Sequence, residues 1–151
     1  MTGHSFHFSH EYGAVAAIHD GLYNWNLIRT GRERAVARAR QYPEQQALQV
    51  CDAAGEAHGG VVFHWRNDPR RIKIDYLFLD DTLRGSGVGA ELMKFFLIWA
   101  KEHGATRIDV TTNDFQAPGF YLKMGFEILG SEPAPQPRFP DNRHYSLRQI
   151  L

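Results

Sequence analysis

The residues with the most chemistry in this chain stand at Arg84-Gly85-Ser86-Gly87-Val88-Gly89, with Ala90 next. Three glycines in five positions let the backbone run close to a ligand, because no side chains block the approach. A helix starting directly behind such a loop leaves its first amides without intrahelical partners, pointing outward. Their summed dipole favours an anion, a pyrophosphate above all. Arg84 adds positive charge on the same lip and can grip phosphate oxygens in pairs. The plainer reading of this spacing is a strand-to-helix turn in which glycine only relieves strain. Two sharper rivals fit less well. A nucleotide-triphosphatase P-loop requires Lys and Ser/Thr after its last glycine, and Ala90-Glu91 stand there instead. Gly85, Gly87 and Ala90 satisfy the dinucleotide spacing, but residues 80–84 separate them from the preceding strand.

Such a loop works only if a sheet and a helix hold it in place. Phe6 and Phe8 alternate with polar residues and predict a short first strand. Residues 11–40 read as two helical pieces. Ala14, Ile18, Leu22 and Trp25 recur at helical spacing, Thr30-Gly31 makes a break, and a second piece over 32–42 stops before Pro43. Residues 47–51 and 60–65 then predict strands joined by a turn at 52–56. A further turn at 67–69 leads into a strand over 71–79. Behind the loop, a helix over 89–101 carries Leu92, Phe95, Phe96 and Trp99 on one broad face and stops at His103-Gly104. A strand over 107–112, a short helix over 115–123 closed by Gly125, and a strand over 126–129 follow. A stiff loop through Pro133, Pro135, Pro137 and Pro140 then leads to a last strand over 143–151. The expected fold is α/β: a mixed sheet of about seven strands with about four helices on both faces, forming one domain over residues 1–151.

Composition narrows the partners. Lys+Arg and Asp+Glu both total 17, so the balanced surface offers no general attraction to nucleic acid or to an anionic membrane. An anion site must therefore be built locally. A hydrophobic share of 43% supplies a real core. No apolar run approaches the roughly 20 residues needed to cross a bilayer, and the first residues carry no signal segment. The single cysteine, Cys51, suits a reducing compartment, so a cytoplasmic location is expected. His4, His7 and His10 invite a metal reading, but a strand there would put His7 opposite the others, and no metal is expected.

Arg84, Gly87 and Gly89, preceded by Leu77-Phe78-Leu79 and Asp80-Asp81, resemble the motif Arg/Gln-x-x-Gly-x-Gly/Ala of the GNAT superfamily of acetyl-CoA-dependent N-acetyltransferases. Tyr121-Leu122-Lys123-Met124-Gly125-Phe126 resembles that family's second mark, Tyr-x-x-x-Gly-Phe after a short helix, with Ala117 four residues before the tyrosine. The resemblance is concentrated in residues 72–130. Residues 115–121, the Pro-rich loop and His144-Tyr145-Ser146-Leu147 are also similar to one bacterial branch of small members.

The resemblance implies acetyl-CoA as co-substrate and direct transfer, within a ternary complex, to a primary amine of a small molecule. It implies a splay between the fourth and fifth strands and a bulge near Leu77 to Leu79 that opens main chain to the cofactor arm. Cofactor contacts are then expected at Leu77, Phe78, Leu79, Arg84, Gly85, Ser86, Gly87, Val88, Gly89, Ala90, Asn113 and Phe120. Many relatives hold an asparagine three residues before the alanine. Here Asp114 stands there, with Asn113 beside it. Tyr121 is the candidate general acid for the departing thiolate, or else an aromatic packing residue. Asp75 is the best-placed carboxylate to take a proton from the amine, or else a strand residue paired with Lys73 or Arg71. Tyr23, Asn24 and Trp25 fall where the family builds its acceptor pocket; His64 and His144 are further candidates, for the base or for acceptor contact. A homodimer is common in the family. The alternative function is a non-catalytic acyl-CoA sensor on the same fold.

Overall fold

The computed structural model describes residues 3–31, 44–66, 70–114 and 118–151. Ten elements follow in chain order: β1 (Ser5–Ser9), α1 (Tyr12–Thr30), β2 (Gln46–Cys51), β3 (Ala57–Arg66), β4 (Arg71–Leu79), α2 (Val88–Glu102), β5 (Arg107–Asn113), α3 (Pro118–Lys123), β6 (Glu127–Pro133) and β7 (Arg143–Ile150). The strands form one seven-stranded sheet in the order β1-β2-β3-β4-β5-β7-β6. Only β4 and β5 run parallel; every other neighbouring pair is antiparallel.

The sheet is buried on both sides by different residues of the same strands. Leu48, Val50, Val61, Phe63, Ile72, Ile74, Ile108, Val110 and Leu147 pack with Leu92, Met93 and Phe96 of α2 and Tyr121 of α3. Ala47 and Val62 pack with Val15 and Ile18 of α1 on the opposite face. Phe63 and Phe96 are fully buried, with ring centroids 4.8 Å apart. Burying one such ring contributes on the order of 2–3 kcal/mol.

Several boundaries differ from the sequence expectation. The break at Thr30-Gly31 is a left-handed Gly31 (φ 67°) that caps α1. The second helical piece, over 32–42, and the turn at 67–69 lie outside the described residues, as does the expected start of α3 at 115–117. β6 runs on to Pro133 because it is the sheet edge, where a missing N–H costs no ladder bond.

The expected bulge is also displaced. Val62 pairs with Tyr76 and Phe63 with Ile74, so the register breaks at Asp75 rather than at Leu77 to Leu79. The extra residue reverses side-chain parity along β4. Ile72 and Ile74 face α2, Tyr76 and Phe78 face α1, and Leu77 and Leu79 return to the α2 side.

Candidate active site

β4 and β5 pair only through Arg71–Lys73 and Arg107–Asp109. Beyond Lys73 the strands separate, and the split opens a cavity of about 840 Å³. Leu77, Phe78 and Leu79 form its β4 wall, and Val110 to Asn113 form its β5 wall. Arg84, Gly85, Gly87, Gly89 and Ala90 close one end; Phe120, Tyr121 and Lys123 of α3 and Leu22 and Trp25 of α1 flank it. Asp75 and His144 reach the same space from the sheet.

The glycine loop has the backbone that a phosphate cradle requires. Gly85 and Gly87 hold left-handed φ values of 76° and 85°, and a Cβ at either would meet nothing within 4 Å. The cradle is open to a ligand rather than filled by the protein. Ser86 differs from expectation: its amide donates to the Leu83 carbonyl (3.2 Å), and its hydroxyl accepts from the Val88 amide (3.4 Å). Val88 itself is buried in the core. The amides of Gly89 and Ala90, in the first turn of α2, are left without intrahelical partners. Arg84 lies over the Trp25 ring (4.8 Å) and the Phe78 ring (5.6 Å) and donates from Nε to the Leu79 carbonyl (3.1 Å). That guanidinium therefore joins α1, β4 and the loop. The Phe78 ring occupies the space a Cβ of Gly21 would take, which explains a glycine in mid-helix that costs about 1 kcal/mol against alanine.

Tyr121 is 6% exposed, and its ring meets Phe120 and Phe126 edge-on, both at 5.4 Å. Burial pushes its phenol well above the usual range, so the hydroxyl stays protonated. The packing and donor readings of this residue are compatible: the ring is core, and the side chain borders the cavity.

The α1 face of the split carries two polar clusters. In the first, Asp75 Oδ2 accepts hydrogen bonds from His64 Nδ1 (2.8 Å) and from Gln45 Nε2 (3.0 Å). Its hydrogen-bond partners among the described residues are thus these two, and Lys73 acts on it only as a nearby charge. In the second, Asn113 Oδ1 meets Asn142 Nδ2 (3.1 Å) and His144 Nδ1 (3.2 Å). Asp114 braces β5 to β7 instead, accepting from the Arg143 amide and the Tyr145 hydroxyl, each at 2.8 Å. Trp25 reaches the cavity and also lies under Arg29 (5.0 Å), while Tyr23 stacks near His19 and Asn24 is exposed. Arg138, at the tip of the Pro-rich loop, donates to the Ile28 carbonyl (3.1 Å), so this loop docks on the end of α1.

Sequence reasoning missed Gln45 and Asn142, which lie 30 and 29 residues from the side chains they hold. Neither sits in a local pattern. Lys123 had a signal, since it falls inside the Tyr121-to-Phe126 motif, and it borders the cavity as a cation.

Residues 16–126 match the acetyltransferase (GNAT) family. The blasticidin-S acetyltransferase of Streptomyces morookaense is 36% identical over 109 residues, covering 70% of this chain and 76% of that protein. A peptidyl-lysine N-acetyltransferase of Salmonella typhimurium is 42% identical over 57 residues, 38% of this chain and 37% of that one. Among solved structures, a GCN5-related N-acetyltransferase from Kribbella flavida superposes with a TM-score of 0.72 at 16% identity, over 99% of this chain and 98% of the other. A nourseothricin acetyltransferase superposes at 0.67 with 22% identity, covering 99% of both chains, and these two likenesses speak to the fold. With the split sheet, the open glycine cradle and the matched residues in agreement, the chain belongs to the acetyltransferase (GNAT) family of acyl-transferring enzymes.

Proposed function

We propose that this protein N-acetylates a primary amine of a small molecule, taking the acetyl group directly from acetyl-CoA in a ternary complex. The observation that carries this reading is one cavity reached from both faces of the sheet. The glycine cradle and Tyr121 border it on one side, and the Asp75 carboxylate borders it on the other. The cradle fits a diphosphate because nothing occupies the space above Gly85 and Gly87. The thioester supplies an activated acyl carbon and a thiolate leaving group.

The remaining work falls to the chain's own groups. The Gly89 and Ala90 amides and Arg84 hold the phosphates. Tyr121, whose side chain borders the cavity, gives its proton to the thiolate. Asp75 draws the acceptor's ammonium to the split. With Oδ2 engaged by His64 and Gln45, its remaining oxygen is the one to receive the amine. Trp25 and Leu22 add an apolar wall for the body of the acceptor. That a relative is named for blasticidin S favours a small-molecule acceptor over a protein one.

The test is acetyl-CoA thermal shift followed by thiol release with a panel of small amines. Stabilisation together with amine-dependent thiol release is expected. Binding without release from any amine would instead make the protein a non-catalytic acyl-CoA-binding module.

A further inference from the structure

The donors and acceptors around His144 can be assigned one after another. The Ala134 carbonyl can only accept, so the Asn142 atom 2.8 Å from it is the amide nitrogen. That same Nδ2 lies 3.1 Å from Asn113, so the Asn113 atom facing it is the carbonyl oxygen. His144 Nδ1 lies 3.2 Å from that oxygen, so Nδ1 carries the proton. A neutral imidazole with Nδ1 protonated keeps its lone pair on Nε2. Asn142 holds this arrangement firmly: it is 3% exposed, its Oδ1 is buried without a partner among the described residues, and its backbone is bonded to both Phe139 and Ala134. Its side chain is thus oriented for donation.

Register places His144 where that lone pair is useful. It pairs with Asn113 on β5, while the neighbouring pairs, Thr112 with Tyr145 and Val110 with Leu147, belong to the opposite face. His144 therefore stands on the α1 face, across the split from Asp75, and lines the same cavity.

We propose that His144 Nε2 is the base that deprotonates the acceptor amine, with Asn113 and Asn142 as positioning residues that fix its tautomer. This rests on the acetyl-transfer reading and divides the labour within it. Asp75 binds the ammonium, and His144, an imidazole and so a better proton acceptor than a carboxylate, takes the proton. The ammonium gives one proton to Nε2. The N–C bond forms as the C–S bond breaks, and the thiolate takes the Tyr121 proton. The second proton leaving nitrogen restores the phenol, and the imidazolium returns its proton to water. One proton is released per turnover. Among the described residues, the charged groups around His144 are Glu132, its cross-strand partner on β6, Arg143 beside it, and Asp75, Arg84 and Lys123 on the cavity wall. Asp114 is already engaged by Arg143 and Tyr145.

Two measurements test this. Long-range ¹H–¹⁵N correlation on the labelled full chain, assigned by comparison with His144→Gln, is expected to show neutral His144 protonated at Nδ1. Protonation at Nε2 would overturn the assignment. In thiol-release assays, His144→Gln is expected to lower kcat by about 100-fold with the acetyl-CoA KM unchanged. Asn113→Asp keeps an acceptor for both neighbours and adds a charge that favours the imidazolium. It is expected to move the acidic limb of kcat/KM up by about one pH unit. Full turnover in His144→Gln, or an unmoved limb in Asn113→Asp, would overturn the base role alone. Absence of thiol release from the wild type would instead overturn the acetyl-transfer reading and the base role with it.

Discussion

The two faces of the split sheet carry their chemistry differently. On the α2 and α3 side the groups proposed to act come from two short stretches, the loop over 84–90 and the helix and turn over 120–126. On the α1 side they come from pairs far apart in sequence: Asp75 with Gln45 across 30 residues, and His144 with Asn113 across 31. A diphosphate can be held by backbone amides and left-handed glycines, which a few consecutive residues supply. An acceptor must be met by side chains at chosen positions, which only tertiary packing brings together. Substitutions on the first face should therefore disturb the handling of acetyl-CoA and its leaving group, and substitutions on the second should disturb acceptor binding and deprotonation while leaving acetyl-CoA binding unchanged.

The largest effect expected is that of Tyr121→Phe. It keeps the ring contacts with Phe120 and Phe126 and removes only the hydroxyl. Thiol release should fall by about 10²-fold or more with every acceptor, while Tm and acetyl-CoA affinity stay within error. A rate loss confined to one amine would place Tyr121 with the acceptor and break the division between the faces.

Asp75→Asn should have a smaller and more selective effect. Removing the charge opposite an ammonium should raise the acceptor KM by about tenfold, a change of roughly 1.4 kcal/mol, and leave the acetyl-CoA KM unchanged. His64→Asn should follow in the same direction but more weakly, because His64 acts through Asp75. Parallel rises in both KM values would show that the faces communicate. The stack of Arg84 on Trp25, which joins the loop to α1, is where that coupling would run.

The same contrast explains what the sequence could show. The seven strands, the cap at Gly31 and the cradle at Gly85 and Gly87 each have a local cause, in alternation, helical spacing or positive φ. Alternation placed Asp75 and Leu77 on one face, but the bulge at Asp75 inserts a residue and moves Leu77 to the other. An irregularity of one residue in the partner register leaves no mark in a hydrophobicity pattern. The partners of Asp75 were out of reach for a related reason. Lys73 and Arg71 are neighbours in the chain, whereas His64 and Gln45 are neighbours only after β2, β3 and β4 pair.

Even the first face has one long-range support, and it gives the smallest effect predicted. Asp80, at the root of the glycine loop, accepts a hydrogen bond from His58 Nδ1 (2.8 Å), and its amide bonds the His58 carbonyl (2.9 Å). The other ring nitrogen of His58 meets Asp52 Oδ2 at 2.8 Å. Hydrogen bonds to Asp52 and then to Asp80 raise the His58 pKa to about 9, from about 6.5 in an open chain. Asp52 is lowered, chiefly by His58. Asp80 is also lowered; burial opposes the shift, and the hydrogen bonds from Thr82 and His58 outweigh it. A raised folded-state pKa gives stability that is complete below about pH 6.5 and lost as pH rises through about 9. The aspartates act in the opposite sense, their contribution being lost only as pH falls below the carboxylate range. Wild type should therefore exceed His58→Gln in Tm by on the order of a few degrees at pH 6, with the gap closing by pH 9. Thermal scans of both proteins at pH 6, 7.5 and 9 measure it. A gap that stays constant with pH would mean that His58 supports the loop by shape alone, and the first face would then be as local as its sequence suggests.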